Sequence, residues 1–117
     1  MEQKRTLSLL VDNTPGLLSR VAGLFSRRGY NIETITAGVT ADPRYTRMTV
    51  VLYCSDEMIL EQIKKQLAKL VDVRDIKELK PDESVRRELM LVKIRVNENE
   101  RRNVIAISDV FRGRIVD

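Results

Sequence analysis

The chain has 117 residues, 43% hydrophobic and 32% charged, a balance that excludes a disordered tail and leaves room for one packed domain and part of another. A lone cysteine, Cys54, and the absence of histidine exclude an internal disulfide, a Cys/His nucleophile pair and a zinc cluster. The net charge of +4 comes from interleaved residues, 13 basic against 10 acidic in 1–80 and 8 against 7 in 81–117, so a mixed surface is expected and not a nucleic-acid stripe.

Residues 4–12 (KRTLSLLVD) put Leu7, Leu9 and Val11 on one face and Thr6 and Ser8 on the other, the period of a half-buried strand. Asn13 to Gly16 reads as a turn, after which Leu17, Leu18, Val21, Leu24 and Phe25 fall at helical spacing and Gly29 stands where a helix ends. Residues 31–40 (NIETITAGVT) and 45–54 (YTRMTVVLYC), separated by Asp42-Pro43-Arg44, predict two antiparallel strands joined as a hairpin, with Cys54 a core or edge residue. Ser55-Asp56-Glu57 supplies a cap and first-turn acids for a second helix with the stripe Ile59, Leu60, Ile63, Leu67 and Leu70. Residues 72–79 (DVRDIKEL) predict a fourth strand, and Lys80-Pro81-Asp82 a break. The order βαββαβ defines an α+β, ferredoxin-like domain over residues 1–80: a four-stranded antiparallel sheet with two helices on one face.

Residues 81–117 predict the start of an incomplete C-terminal α+β domain: a strand over 89–96 (LMLVKIRV), a polar turn over 97–102, helix-spaced apolar residues over 104–111, and Gly113 as the stop. FSRRGYNI at 25–32 and FRGRIV at 111–116 share a phenylalanine, basic residues, a glycine and an apolar restart, a loose likeness. The apolar runs are only a few residues long and no apolar block follows the charged start, so a cytoplasmic location without membrane contact is expected.

The opening of the first helix raises the functional question. Thr14 suits the N-cap, Pro15 the first helical position, and Gly16 has no side chain to obstruct approach. The amides of Gly16, Leu17 and Leu18 would then point outward at the positive end of the helix dipole, a seat for a carboxylate or a phosphate. A capped helix following a turn accounts for the same residues.

The stretch VDNTPGLLSRVAGLFSRRGYNIETITAG resembles the first half of an ACT domain, the amino-acid-sensing module. Together with DPRYTRMTVV, LEQIKKQLAKLVDV, RELMLVKI and FRGRIVD, in that order, it is similar to the small regulatory subunit of acetohydroxyacid synthase, also called acetolactate synthase, over nearly the whole chain. The resemblance implies a non-catalytic regulatory subunit that activates a catalytic (large) subunit and confers feedback inhibition in valine, leucine and isoleucine biosynthesis. It implies a branched-chain amino acid, valine foremost, as effector, and thiamine diphosphate, Mg and FAD in the catalytic subunit only. Asn13 and Gly16 match the loop positions that hold the effector, and Leu17 and Leu18 follow as amide donors to its carboxylate. Asn31 and Ile32 match positions that reach the ligand from the other chain of a homodimer formed through the ACT domain. Thr36, Gly38 and Gln62 match outer, feedback-sensitive positions, and Pro15 is expected to stiffen the helix entry.

Other functional classes fit the residues less well. An RNA-binding sheet needs exposed aromatics for base stacking, and the chain has five aromatic residues, none in such a strand motif. No nucleophile with its base and no acid/base pair is in evidence, which argues against an enzyme. The alternative that stays open is a stand-alone ACT-domain sensor acting on another partner.

Overall fold

The alternation in residues 4–12 is realised as strand β1 (Gln3–Asp12), which runs down the middle of the sheet in this computed structural model. The structure describes residues 3–116 and divides between Arg86 and Arg87 into two compact units. In the first unit β1 is followed by α1 (Leu17–Arg27), β2 (Ile32–Val39), β3 (Tyr45–Cys54), α2 (Glu57–Ala68) and β4 (Val73–Glu78). The strands lie in the order β2-β3-β1-β4 and every neighbouring pair is antiparallel. This is the ferredoxin-like arrangement, with β2 and β4 at the edges.

One face of the sheet carries the core. Leu7, Leu9 and Val11 of β1 and Met48, Val50 and Leu52 of β3 are buried against Val21, Leu24 and Phe25 of α1 and Leu60, Ile63 and Leu67 of α2. Burying each such side chain contributes about 1.5–3 kcal/mol, so the helices are held by their apolar stripes. On the opposite face Thr6 and Ser8 are also buried, because β1 is central and Arg47 Nη1 reaches over to donate to Ser8 Oγ at 3.1 Å. The second helix begins as expected, with Asp56 as the N-cap and its Oδ1 accepting from the Met58 amide at 2.8 Å.

The first helix ends as its glycine requires. Gly29 has φ 72°, its amide donates to the Ser26 carbonyl, and the Tyr30 amide donates to the Phe25 carbonyl at 3.0 Å. The Phe25 and Tyr30 rings meet edge to face at 6.5 Å across the same turn. A non-glycine residue at Gly29 would have to hold the left-handed conformation, so the glycine is there for its φ.

The entry to α1 differs from the expected one. Gly16, not Thr14, is the N-cap, with φ 77° and ψ 2°, and Pro15 lies before the helix. Thr14 is drawn away because its hydroxyl donates to Asp72 Oδ1 at 3.2 Å. Leu18 does not join the core stripe: 54% of its surface is exposed.

Among the described residues the second unit holds one helix, α3 (Glu98–Val110), capped by Asn97, whose Oδ1 accepts from the Glu100 amide at 2.8 Å. The expected polar turn over 97–102 is therefore the cap and first turns of this helix. Residues 89–96 do not form the expected strand; a ladder needs a neighbour, and no strand pairs with this segment among the described residues. At the end of α3 the left-handed position is Arg112 (φ 56°), one residue before Gly113, whose amide donates to Ser108 O at 2.7 Å. Gly113 sits close to the helix instead: a Cβ there would lie 2.8 Å from Ser108 Oγ, so the serine hydroxyl would have to turn aside. Both α1 and α3 thus end in the same pair of backbone hydrogen bonds, with different residues taking the left-handed conformation. Among the described residues no helix is long and apolar enough to cross a membrane.

Candidate functional site

Residues 12–16 join β1 to α1 and are pinned on both sides. Toward the β2–β3 hairpin, the Asn13 amide donates to Arg44 O at 2.8 Å, Asn13 Nδ2 donates to Pro43 O at 3.1 Å, and Thr46 Oγ1 donates to Asn13 Oδ1 at 3.2 Å. Toward the α2–β4 turn, the Asp12 amide donates to Asp72 O at 2.8 Å. Arg20 completes that side: Nε donates to Asp72 Oδ2 at 2.7 Å, Nη2 to Thr14 Oγ1 at 3.1 Å, and Nη1 to Pro15 O at 3.2 Å. Arg74 grips the Asp12 carboxylate through Nε and Nη2, at 2.8 and 2.9 Å. These bonds hold the Asp12 carboxyl below its ordinary range.

The loop so fixed presents the start of α1 to solvent. The Leu17 amide turns back to Thr14 O with a long 3.4 Å bond, so it is not the open donor expected of it. Among the described residues nothing accepts from the Gly16 or Leu18 amides, and no side chain caps the helix. Nor does any acid sit in its first turn, whereas α2 has Glu57 and α3 has Glu98 and Glu100 there. The positive end of α1 is thus left without a negative group of its own. Gly16 leaves little room for a side chain, since a Cβ on it would stand 3.1 Å from Arg20 Nη1.

Within one chain the sequence-derived site residues fall into separate groups. Asn13, Pro15, Gly16, Leu17 and Leu18 lie together at the end of the sheet where Val39 of β2 is opposite Thr46 and Thr46 is opposite Val11. Ile32 is opposite Leu52, itself opposite Arg5, so Asn31 and Ile32 lie at the other end. Thr36 and Gly38 lie along β2, opposite Thr49 and Arg47, and Gln62 is exposed on α2. Arg20 and Asp72, which shape the loop most, were not singled out from sequence. Arg20 falls outside the apolar positions of the first helix, and nothing local joins it to a residue 52 positions away.

The sheet order with its two-helix cover is the ferredoxin-like fold that ACT domains share with other modules. The fold of the first unit is similar to the solved ACT domain from GTP pyrophosphokinase of Chlorobium tepidum, with TM-score 0.58 and 16% identity over 68% of this chain and 100% of that one. More specifically, residues 7–75 match the family described as AHAS small subunit-like ACT domain, and residues 87–117 match the small subunit of acetolactate synthase. The chain belongs to the acetolactate synthase small-subunit family. It is 50% identical over 112 residues to the probable acetolactate synthase small subunit of Methanothermobacter thermautotrophicus, covering 95% of this chain and 66% of the relative. It is 51% identical over 114 residues to the acetolactate synthase isozyme 3 small subunit of Escherichia coli, covering 97% and 69%. The crystal structure of the acetolactate synthase small subunit from Thermotoga maritima superposes with TM-score 0.81 at 32% identity, over 98% of this chain and 71% of that one. The chain spans about two thirds of the length of these curated relatives.

Proposed function

We propose that the chain acts as a regulatory subunit of acetolactate synthase, binding a branched-chain amino acid, valine foremost, and passing its presence to a catalytic subunit as activation and feedback inhibition. The observation that carries this reading is the open start of α1: unpaired amides of Gly16 and Leu18, no capping side chain and no first-turn acid, on a loop pinned from both sides. A carboxylate placed there would accept from those amides and complement the helix dipole. Catalytic chemistry, with thiamine diphosphate, Mg and FAD, belongs on this reading to the catalytic subunit.

The separation of the site residues fits a homodimer. Strand β2 is an edge, exposed along most of its length, and an unpaired edge invites a second copy. Antiparallel pairing of two β2 strands about a two-fold axis would bring the second copy's Asn31 and Ile32 toward the end of the sheet that carries Asn13 and Gly16. Each site would then draw on both chains, and an effector bound there would bias one arrangement of the pair over another.

The test is titration calorimetry of valine, leucine and isoleucine against the full chain and two variants, Leu18→Asp and Leu18→Asn. Leu18 is exposed in the single chain and stands at the second position of α1, where an aspartate suits the helix. The expected result is binding by the parent, roughly tenfold or more weaker binding by the aspartate variant, and a smaller loss with asparagine. Equal losses in both variants would remove the carboxylate from the helix start, and no binding by a folded dimer would remove the effector site itself.

A further inference from the structure

We propose that Arg20 and Asp72 form a positioning pair that sets effector affinity by holding the loop 12–16 ready before any ligand arrives. The proposal rests on the effector reading of that loop and adds to it two residues that the family resemblance did not supply. Arg20 uses three nitrogens on three different acceptors: the Asp72 carboxylate, the Thr14 hydroxyl and the Pro15 carbonyl. Asp72 accepts from Arg20 Nε with one carboxylate oxygen, from Thr14 Oγ1 with the other, and from the Asp12 amide with its backbone carbonyl. Residues 14 and 15 are therefore tied to one carboxylate and one guanidinium, Arg20 standing on α1 and Asp72 in the turn just before β4. The Arg20 side chain is only half-covered and Asp72 largely covered, which suits a clamp beside an open site.

The physical case is one of preorganisation. A loop that must order on binding spends part of the interaction free energy on its own freedom. The Asn13 bonds restrain the loop from the hairpin side alone; without Arg20 and Asp72, Thr14 keeps only its backbone bonds to Asp12 and Leu17, and Pro15 keeps none among the described residues. The Pro15 ring limits φ, so the remaining freedom lies mainly in the placement of the Gly16 peptide, and Arg20 Nη1 stands beside that glycine. The planar fork of arginine is needed for this, because a lysine ammonium cannot reach three separated acceptors at once.

Two measurements on the full chain and on Arg20→Lys and Arg20→Gln test the proposal. Residue-resolved amide exchange without effector follows Asp12, Asn13 and Thr14, whose amides are hydrogen-bonded in the structure. In Arg20→Lys these amides should exchange about tenfold faster while the amides of α2 and the thermal midpoint stay near those of the parent. Calorimetry with valine, leucine and isoleucine should show about tenfold weaker binding by both variants, with the order of preference unchanged. Unchanged exchange, or faster exchange with unchanged affinity, overturns the proposal. Parent-like affinity in Arg20→Lys with loss only in Arg20→Gln also overturns it, because charge would then matter and the fork would not. A parent chain that binds none of the three amino acids refutes instead the effector reading on which the proposal rests.

Discussion

Thr46 Oγ1 donates to Asn13 Oδ1 at 3.2 Å while Asn13 Nδ2 donates to the Pro43 carbonyl at 3.1 Å, so one amide side chain fastens the β1–α1 loop to the hairpin behind the β2 edge. An asparagine in an effector loop would ordinarily be taken as a direct ligand contact. Here both ends of its amide already have protein partners, with one N–H and one lone pair left over. Its geometry therefore gives it a structural duty besides any contact it makes.

Asn13→Ala should accordingly do two things. It removes two neutral hydrogen bonds and leaves the hydroxyl of the buried Thr46 without its acceptor, a loss of about 1–2 kcal/mol of stability in urea denaturation. It should also weaken effector binding and, in the reconstituted synthase, feedback inhibition more than activation. Thr46→Val should cost less, since the Asn13 oxygen is near solvent and can turn to water. If both variants retained the parent's effector response, the loop would not be the site.

A second prediction concerns Arg5, which donates to both Glu57 and Glu78. The Arg5 and Glu78 side chains are 16% and 10% exposed, against 71% for Glu57. Arg5→Met should cost about 2–3 kcal/mol because it strands the Glu78 carboxylate in a poorly hydrated place. Adding Glu78→Gln should recover much of that loss, and Glu57→Gln alone should change little. Urea midpoints of Arg5→Met, Glu78→Gln, their double variant and Glu57→Gln decide it: an additive double variant would mean that the pair is not coupled.

The fold was largely legible because local patterns and tertiary packing agree. The Leu7-Leu9-Val11 alternation and the Val21-Leu24-Phe25 stripe meet each other in one core. Sequence reasoning failed where a distant residue decided a local choice. Thr14 has the side chain of an N-cap, but Asp72, 58 positions away, takes its hydroxyl, and Gly16 becomes the cap. Residues 89–96 have the composition of a strand, yet composition cannot supply the neighbouring strand that a ladder needs. For the site, the loop residues could be matched by resemblance, whereas the Arg20–Asp72 clamp has no local signature. The distance of Asn31 from Asn13 could be read only once the register of three strands was known.

Two glycines differ in conformational need alone. Neither Gly23 nor Gly29 has a neighbour within 4 Å of where a Cβ would sit, but Gly29 has φ 72°. Gly29→Ala should therefore destabilise by about 1 kcal/mol through backbone strain alone. Gly23→Ala, inside α1, should stabilise by about 0.5–1 kcal/mol by lowering the freedom of the unfolded chain and raising helix propensity. Thermal midpoints that moved in the same direction for both would contradict this assignment.

Stability against pH should have an unusual flat region. No histidine is present, so no side chain of that type titrates between pH 5 and 7. The depressed groups are carboxyls: Asp12 beside Arg74, Asp42 beside Arg44, and Glu57 beside Arg5, each lowered chiefly by side-chain hydrogen bonds from its arginine. A carboxyl with a lowered folded value stabilises the native state above its unfolded value and loses that contribution as pH falls through the folded one. Thermal midpoints should therefore hold level from pH 7 to about 5 and decline below about pH 4. Arg74→Met releases Asp12 from its depression, so this variant should start from a lower midpoint at neutral pH and fall less steeply in acid. A midpoint that shifts strongly between pH 5 and 7, or an acid slope unaffected by Arg74→Met, would show that groups other than these pairs control the acid response.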